Sequence, residues 1–256
     1  MSTQTSSDPV RSLKALNGLR VIGGTPMAAR IPADFERDVR KFVFDHFAER
    51  AAPPVLEQIM ERFRLSRRRA FEVLQELEAA RHLRLVPGTQ RILMAFPFSA
   101  VATPFQVLVP GGRNYFANCA WDAVAFHAML GERIRIASYC HHCAEPIAVE
   151  LSKGSLTDAP NPPPLIFLSL PASRWWDDIV NTCSNHMVFF RSAGHLESWK
   201  AANPGLAGEA LSIEHTHALG VPTYRDKMKL EYVRPAKAQL VAHFRSLGLT
   251  GDFWEL

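Results

Sequence analysis

Cys119 and Asp122 stand three residues apart in the stretch Asn118-Cys119-Ala120-Trp121-Asp122. Residues i and i+3 share a helical face. Asn is a good N-cap, and Gly131 stands where such a helix would stop, so the spacing predicts a helix from Cys119 to about Leu130 with Asn118 as its cap. A thiol in a first turn meets free backbone N–H groups and the positive end of the helix dipole, which favour the thiolate. A carboxylate beside a thiolate repels it, so the pair is expected to keep one proton. The pair would then be a nucleophile and an acid side by side. The same residues also suit an inert role: a free cysteine is commonly a small packing residue, and an early Asp commonly compensates the dipole.

The remaining cysteines are Cys140, Cys143 and Cys183. Cys140-His141-His142-Cys143 is a CxxC turn, which is a half-site for a metal or a redox pair. A complete zinc set would draw on His141 or His142 together with His195, His215 or His217. No second CxxC completes the usual pattern, and a turn with spare thiols is the alternative.

Elements that position these residues follow from periodicity. Asp34 to Arg50 carries an apolar face at helical spacing, with Phe35, Val39, Phe42, Val43, His46 and Phe47. Pro53-Pro54 restarts the chain into a short helix with Val55, Ile59 and Phe63. Ser66 caps a third helix expected through His82. Leu83–Val86 and Ile92–Phe96 flank Pro87-Gly88-Thr89 and read as a hairpin. Three helices and a hairpin resemble a winged helix, in which Arg67, Arg68 and Arg69 open the third helix. Positive charge alone does not read bases, and nucleic acid is not favoured as a partner. Downstream, strands are expected at 133–139, 146–151, 165–170 and 187–190, with helices at 195–202 and 235–247. Trp121 and Phe126 are read as core, Trp175 and Trp176 as core or as walls of an apolar pocket, and His127 as packing or surface.

The stretch from Asn118 to Gly131 resembles the active-site helix of the organomercurial (alkylmercury) lyase family. Arg133 to Cys140 with Pro146, then Phe189-Phe190-Arg191-Ser192, Trp199 and Gly205-Leu206, match that family in order, over roughly residues 30 to 225. The resemblance implies that Cys119 is the attacking thiolate and Asp122 the proton donor or shuttle to the leaving carbon. Products would be a hydrocarbon and bound Hg(II), which small thiols carry away, with no cofactor required. The family's second catalytic cysteine aligns without gaps on Ser184, and its neighbour Cys183 is either the second thiolate in a slightly altered loop, the reading favoured here, or a buried bystander. The metal-contacting set is then Cys119, Cys183 and Asp122, and Cys140 and Cys143 could hold Zn or Cu. The alternative is a divergent member that binds a soft metal ion or thiophilic compound without lysis.

The chain has 256 residues, 47% of them hydrophobic, and a net charge of +4. That is enough to bury a sizeable core. The expected class is α+β, with an N-terminal winged-helix-like three-helix module before a mixed or antiparallel β-sheet catalytic domain with flanking helices. The expected boundaries are 1–24 as an extended or disordered start, 25–98 for the first module and 99–256 for the catalytic domain. No apolar run reaches the roughly 18 residues that span a bilayer, and the polar first dozen residues lack a signal's apolar core. A cytoplasmic protein that does not use a membrane, with cysteines kept as thiols, is therefore expected.

Overall fold

The structure is a computed structural model and describes residues 33–256, with side chains from Phe35 onward. The expected extended start at 1–24 lies outside the described residues, as do the first residues of the 25–98 segment. Helix α1 (Ala33–Arg50) leads to α2 (Leu56–Phe63) and α3 (Arg67–Ala79), and then to β1 (Arg84–Leu85) paired antiparallel with β2 (Ile92–Ala95). The order of three helices and a hairpin matches the expectation. Ser66 caps α3 by accepting from the Arg69 N–H at 3.3 Å, but the helix ends at Ala79 rather than His82. A third strand, β3 (Phe98–Ser99), pairs with β2.

These elements are packed against the rest of the chain by aromatic side chains. Phe47 of α1 stacks on Phe98 at 5.1 Å, and Phe98 meets Phe126 edge-on at 5.0 Å. Arg40, buried on α1, donates to the carbonyls of Lys227 at 2.7 Å and Leu230 at 3.3 Å, and also to that of Lys229. Burying a guanidinium is costly unless its donors are matched; Nη1 and Nη2 are matched by these carbonyls, whereas Nε has no hydrogen-bond partner. The Nη bonds stitch α1 to the turn that carries Lys227.

A five-stranded antiparallel sheet follows, in the order β5-β4-β6-β7-β8. Its members are β4 (Gln106–Val109), β5 (Arg113–Phe116), β6 (Ile134–Tyr139), β7 (Pro146–Ser152) and β8 (Ser155–Asp158). Inward residues Ile134, Ile136, Ile147, Val149 and Leu151 alternate along β6 and β7, as a half-buried sheet requires. Between β5 and β6 runs α4 (Ala120–Leu130), buried on nearly every side. Gly131 ends it in the left-handed conformation at φ 70°.

The third sheet is β10-β9-β11, built from β9 (Leu165–Leu168), β10 (Met187–Phe190) and β11 (Glu209–Ser212). Its helices are α5 (Ile179–His186), α6 (Ala193–Ala202) and α7 (Ile213–Tyr224), with α8 (Lys237–Ser246) closing the chain. All three sheets are antiparallel, so the fold is α+β. Helix α7 packs on α4 with Gly220 at the crossing. A β-carbon there would stand 2.9 Å from Trp121 Nε1 and 3.7 Å from Ala125 Cβ, closer to the indole than real β-carbons come. No helix among the described residues is long and apolar enough to cross a membrane.

Candidate active site

Cys119, not Asn118, is the N-cap of α4. Its backbone is extended, at φ −150° and ψ 177°, and its Sγ accepts from the Asp122 N–H at 3.3 Å. Asn118 is freed for another task. It is 1% exposed and donates Nδ2–H to the Pro97 carbonyl and to Asp122 Oδ2, both at 3.0 Å. The other carboxylate oxygen, Oδ1, accepts from the Tyr224 hydroxyl at the end of α7. Both oxygens therefore act as acceptors, an arrangement that fits the ionised carboxylate.

Cys183 completes the cluster. The Sγ atoms of Cys119 and Cys183 and a carboxylate oxygen of Asp122 all lie within 4.8 Å of one another, and all three residues are buried. Cys183 sits on α5, a helix rather than the loop that was expected to adapt. Its neighbour Ser184 is exposed. Successive helical residues point about 100° apart, so on α5 the inward position belongs to Cys183. Met187, at the start of β10, brings its Sδ to 3.8 Å from Cys119 Sγ and accepts from that thiol.

The electrostatics correct one expectation. Burial pushes the Cys119 thiol well above its usual range, and Cys183 and the Asp122 charge raise it further. The Asp122 N–H opposes this, but one backbone donor does not outweigh full burial. Hydrogen bonding with Cys119 favours the Cys183 anion, yet burial and Asp122 prevail and that thiol is raised too. Burial also raises the Asp122 carboxyl, against hydrogen bonds from Tyr224 and Asn118 and the charge of Lys227. Burial thus favours the protonated form of both thiols, while the carboxylate keeps two side-chain hydrogen-bond donors.

These groups line a cavity of about 70 Å³ whose walls include Phe96, Trp121, Trp175, Trp176 and Phe244. That is room for several water-sized groups, since one water requires roughly 10–15 Å³. Trp121 belongs to this wall rather than to the core. Phe126 is fully buried core, as expected. His127 packs: its ring meets the Glu132 carbonyl at 2.6 Å and accepts from the Gly154 N–H at 2.7 Å. Sequence reasoning missed Lys227, which is 3% exposed and lies 4.7 Å from the centre of the Tyr224 ring. Phe44, Phe96 and Tyr232 surround the same ammonium within 5.9 Å. Burial lowers Lys227 to about 7, against the attraction of Asp122.

The CxxC turn is elsewhere. Cys140 Sγ and Cys143 Sγ lie 3.6 and 3.3 Å from His195 Nδ1. His215 and His217 are not part of that group: His215 bonds the Leu247 carbonyl at 3.0 Å, and His217 stands beside His127. His141 packs between Phe190 and Trp199. The Arg67–Arg69 triplet is matched by carboxylates, with Arg67 on Glu57 and both Arg68 and Arg69 on Glu72.

With this geometry in view, the comparisons with known proteins are direct. The family model described as MerB, alkylmercury lyase, matches residues 98–225, half of the chain. The chain belongs to the alkylmercury lyase family. It is 29% identical to an alkylmercury lyase of Bacillus cereus over 120 residues, covering 47% of this chain and 53% of that protein. The alkylmercury lyase of Pseudomonas putida is 26% identical over 138 residues, which cover 52% of this chain and 63% of the relative. The chain thus spans about half to two thirds of the length of these curated relatives. A crystal structure of the mercury-bound form of MerB2 shares the fold, with a TM-score of 0.61 at 20% identity, covering 78% of this chain and 94% of that one.

Proposed function

We propose that this protein cleaves carbon–mercury bonds by protonolysis, with Cys119 and Cys183 capturing the metal and Asp122 relaying the proton. The observation that carries this reading is the mutual approach of the two sulfurs and the carboxylate within 4.8 Å, at the wall of an aromatic cavity, in a chain of this family. Mercury is soft and prefers thiolate sulfur to hard oxygen donors. The aromatic walls suit an apolar organic group.

Protons balance along the path. Cys119 Sγ displaces the ligand X of R–Hg–X, and its proton leaves as HX. Cys183 then adds to mercury and gives its proton to the Asp122 carboxylate. Two sulfurs on one mercury enrich the Hg–C bond, and protonated Asp122 delivers that proton to carbon. R–H departs and Hg(II) stays bridged by Cys119 and Cys183. Two small thiols exchange onto the metal, return protons to both cysteines and carry Hg(II) away. A raised thiol suits this sequence, because bond formation to mercury drives proton release and no free thiolate is needed beforehand. Asn118 and Tyr224 hold the carboxylate, and the charge of Lys227 favours its ionised form.

The test is turnover of phenylmercury with excess small thiol, followed by release of benzene. Asp122→Asn should lower turnover by about 10²–10⁴-fold, the usual contribution of a placed acid–base group, and still retain a stoichiometric phenylmercury adduct by mass spectrometry. Wild-type protein that binds phenylmercury without releasing benzene would instead establish a binding member of the family. Turnover unchanged in Cys119→Ser would sink the assignment.

A further inference from the structure

The geometry points to a second metal site, formed by Cys140, Cys143 and His195, that binds a zinc-class cation and clamps the end of β10. The three residues come from two separate parts of the fold. Cys140 and Cys143 lie in the turn between β6 and β7, closed by Cys140 N–H to the Glu145 carbonyl and Ala144 N–H to the Cys140 carbonyl, both at 2.8 Å. His195 lies in the first turn of α6, where Ser192 accepts from its N–H at 3.4 Å. This brings Nδ1 of the ring to 3.6 Å from Cys140 Sγ and 3.3 Å from Cys143 Sγ.

Those separations are the ones a tetrahedral ion imposes. With Zn–S of about 2.3 Å and Zn–N of about 2.0–2.1 Å at tetrahedral angles, sulfur and nitrogen stand about 3.6 Å apart. Two soft sulfurs and an imidazole suit Zn(II) and exclude the hard cations. Both cysteines are free thiols rather than a disulfide. Cys140 Sγ also accepts the Arg191 N–H at 3.4 Å, the sort of outer hydrogen bond that orients a thiolate ligand. Cys143 is exposed, so the fourth position faces solvent. The His142 ring stands 5.8 Å from that of His195.

This ion is not the one bound by Cys119. Strand β10 separates the two sites, with Met187 against Cys119 at one end and Arg191, just beyond the other end, against Cys140. Four residues of strand span roughly 13 Å. A cation at Cys140 would instead fix the β6–β7 turn to α6 and so hold the strand that delivers Met187.

The test uses the full chain, reduced and stripped of metal, titrated with Co(II) and then Zn(II). We expect one equivalent of Co(II) to give a thiolate-to-cobalt charge-transfer band with tetrahedral visible bands, and Zn(II) to abolish them. Zn(II) at a thousandfold excess over its Kd should raise Tm by about 10 °C. Cys143→Ser and His195→Ala should each weaken Co(II) by more than a hundredfold, above the roughly 10–100-fold produced by outer partners. Cys119→Ser should leave the bands in place. Absence of a charge-transfer band, or a band lost in Cys119→Ser and kept in Cys143→Ser, overturns the site. Benzene release by Cys143→Ser is read separately, so this result and the lyase reading fail independently.

Discussion

Tyr224→Phe removes one hydroxyl from the site and leaves its shape almost unchanged. That hydroxyl donates to Asp122 Oδ1 and holds the carboxyl below where burial alone would put it. A hydrogen bond to a charged group is worth about 1.5–3 kcal/mol, and 1.36 kcal/mol corresponds to one pKa unit. Losing the bond should therefore move Asp122 up by about one to two pH units. In the proposed mechanism Asp122 must be ionised to take the Cys183 proton. The acid limb of kcat against pH, measured for phenylmercury at saturating thiol, should shift upward by that amount, and the alkaline limb should stay where it is. Asn118→Ala should move the limb in the same direction, since Nδ2 is the other side-chain donor at 3.0 Å. A uniform loss of rate with an unmoved acid limb would show that Tyr224 only packs, and would refute the assignment of Asp122 as proton relay.

Three other outcomes follow from the same geometry. Lys227 is held near 7 when folded against 10.5 when free, so between those values the unfolded chain binds more protons and stability rises with pH. Chemical denaturation of Lys227→Met should show higher stability at pH 7 and a flatter profile up to about pH 9, where the thiols of the unfolded chain begin to ionise; an unchanged slope would exclude a buried neutral lysine. His82 is lowered to about 3 by burial and by the nearby charges of Lys227, Arg40 and Arg234. Its unfolded form takes up a proton below 6.5, so stability falls as pH drops from 6.5 towards 3, and His82→Gln should reduce that slope in acid titrations followed by circular dichroism. Gly220→Ala should drive the Trp121 indole toward the cavity, cost about 1–3 kcal/mol by overpacking, and raise KM for phenylmercury more than for methylmercury; equal KM values would show that Trp121 does not bound the organic group.

Much of this was legible from local pattern. The helix of Cys119 and Asp122, its stop at Gly131, the three leading helices and strands β6, β7, β9 and β10 all carry strong periodicity. Strand β5 was hidden because Arg113 and Asn114 are polar and exposed; the Gly111-Gly112 turn before it was the available signal. Strand β8 is a short, mostly exposed edge strand with little apolar content. Helix α7 has no counterpart in the sequence analysis, and Gly220 and Pro222 interrupt its helical pattern. In the fold, Gly220 permits a close crossing and Pro222 lies within the last turn. That omission mattered, since α7 supplies Tyr224. Lys227 carries no local signature at all, because its burial depends on Phe44 and Phe96, far away in sequence, as well as on its neighbours Tyr224 and Tyr232. The polarity of the Cys119 thiol was also misjudged: a helix end predicts a stabilised anion only while solvent can reach it, and here burial dominates.

That reversal bears on how the site would select its substrate. A preformed, exposed thiolate would bind most available metal ions and oxidants. A buried thiol releases its proton only to a partner whose bond to sulfur exceeds what desolvation has added to the S–H bond. Hard cations cannot meet that condition, and their hydration shells would not enter a cavity of about 70 Å³ walled by Phe96, Trp121, Trp175 and Phe244. An organomercurial cation carries an apolar group that fits the wall and a soft centre that displaces both protons. In the proposed reaction the displaced protons are then used, one leaving with the outgoing ligand and one reaching carbon through Asp122. On this argument, opening the cavity with Trp175→Ala should lower the Cys119 pKa and raise its reaction rate with a small disulfide reagent at pH 7. It should at the same time weaken discrimination between phenylmercury and hydrated Zn(II). If the thiol becomes no more reactive, then burial is not what holds the proton on Cys119, and selectivity must come from the wall alone.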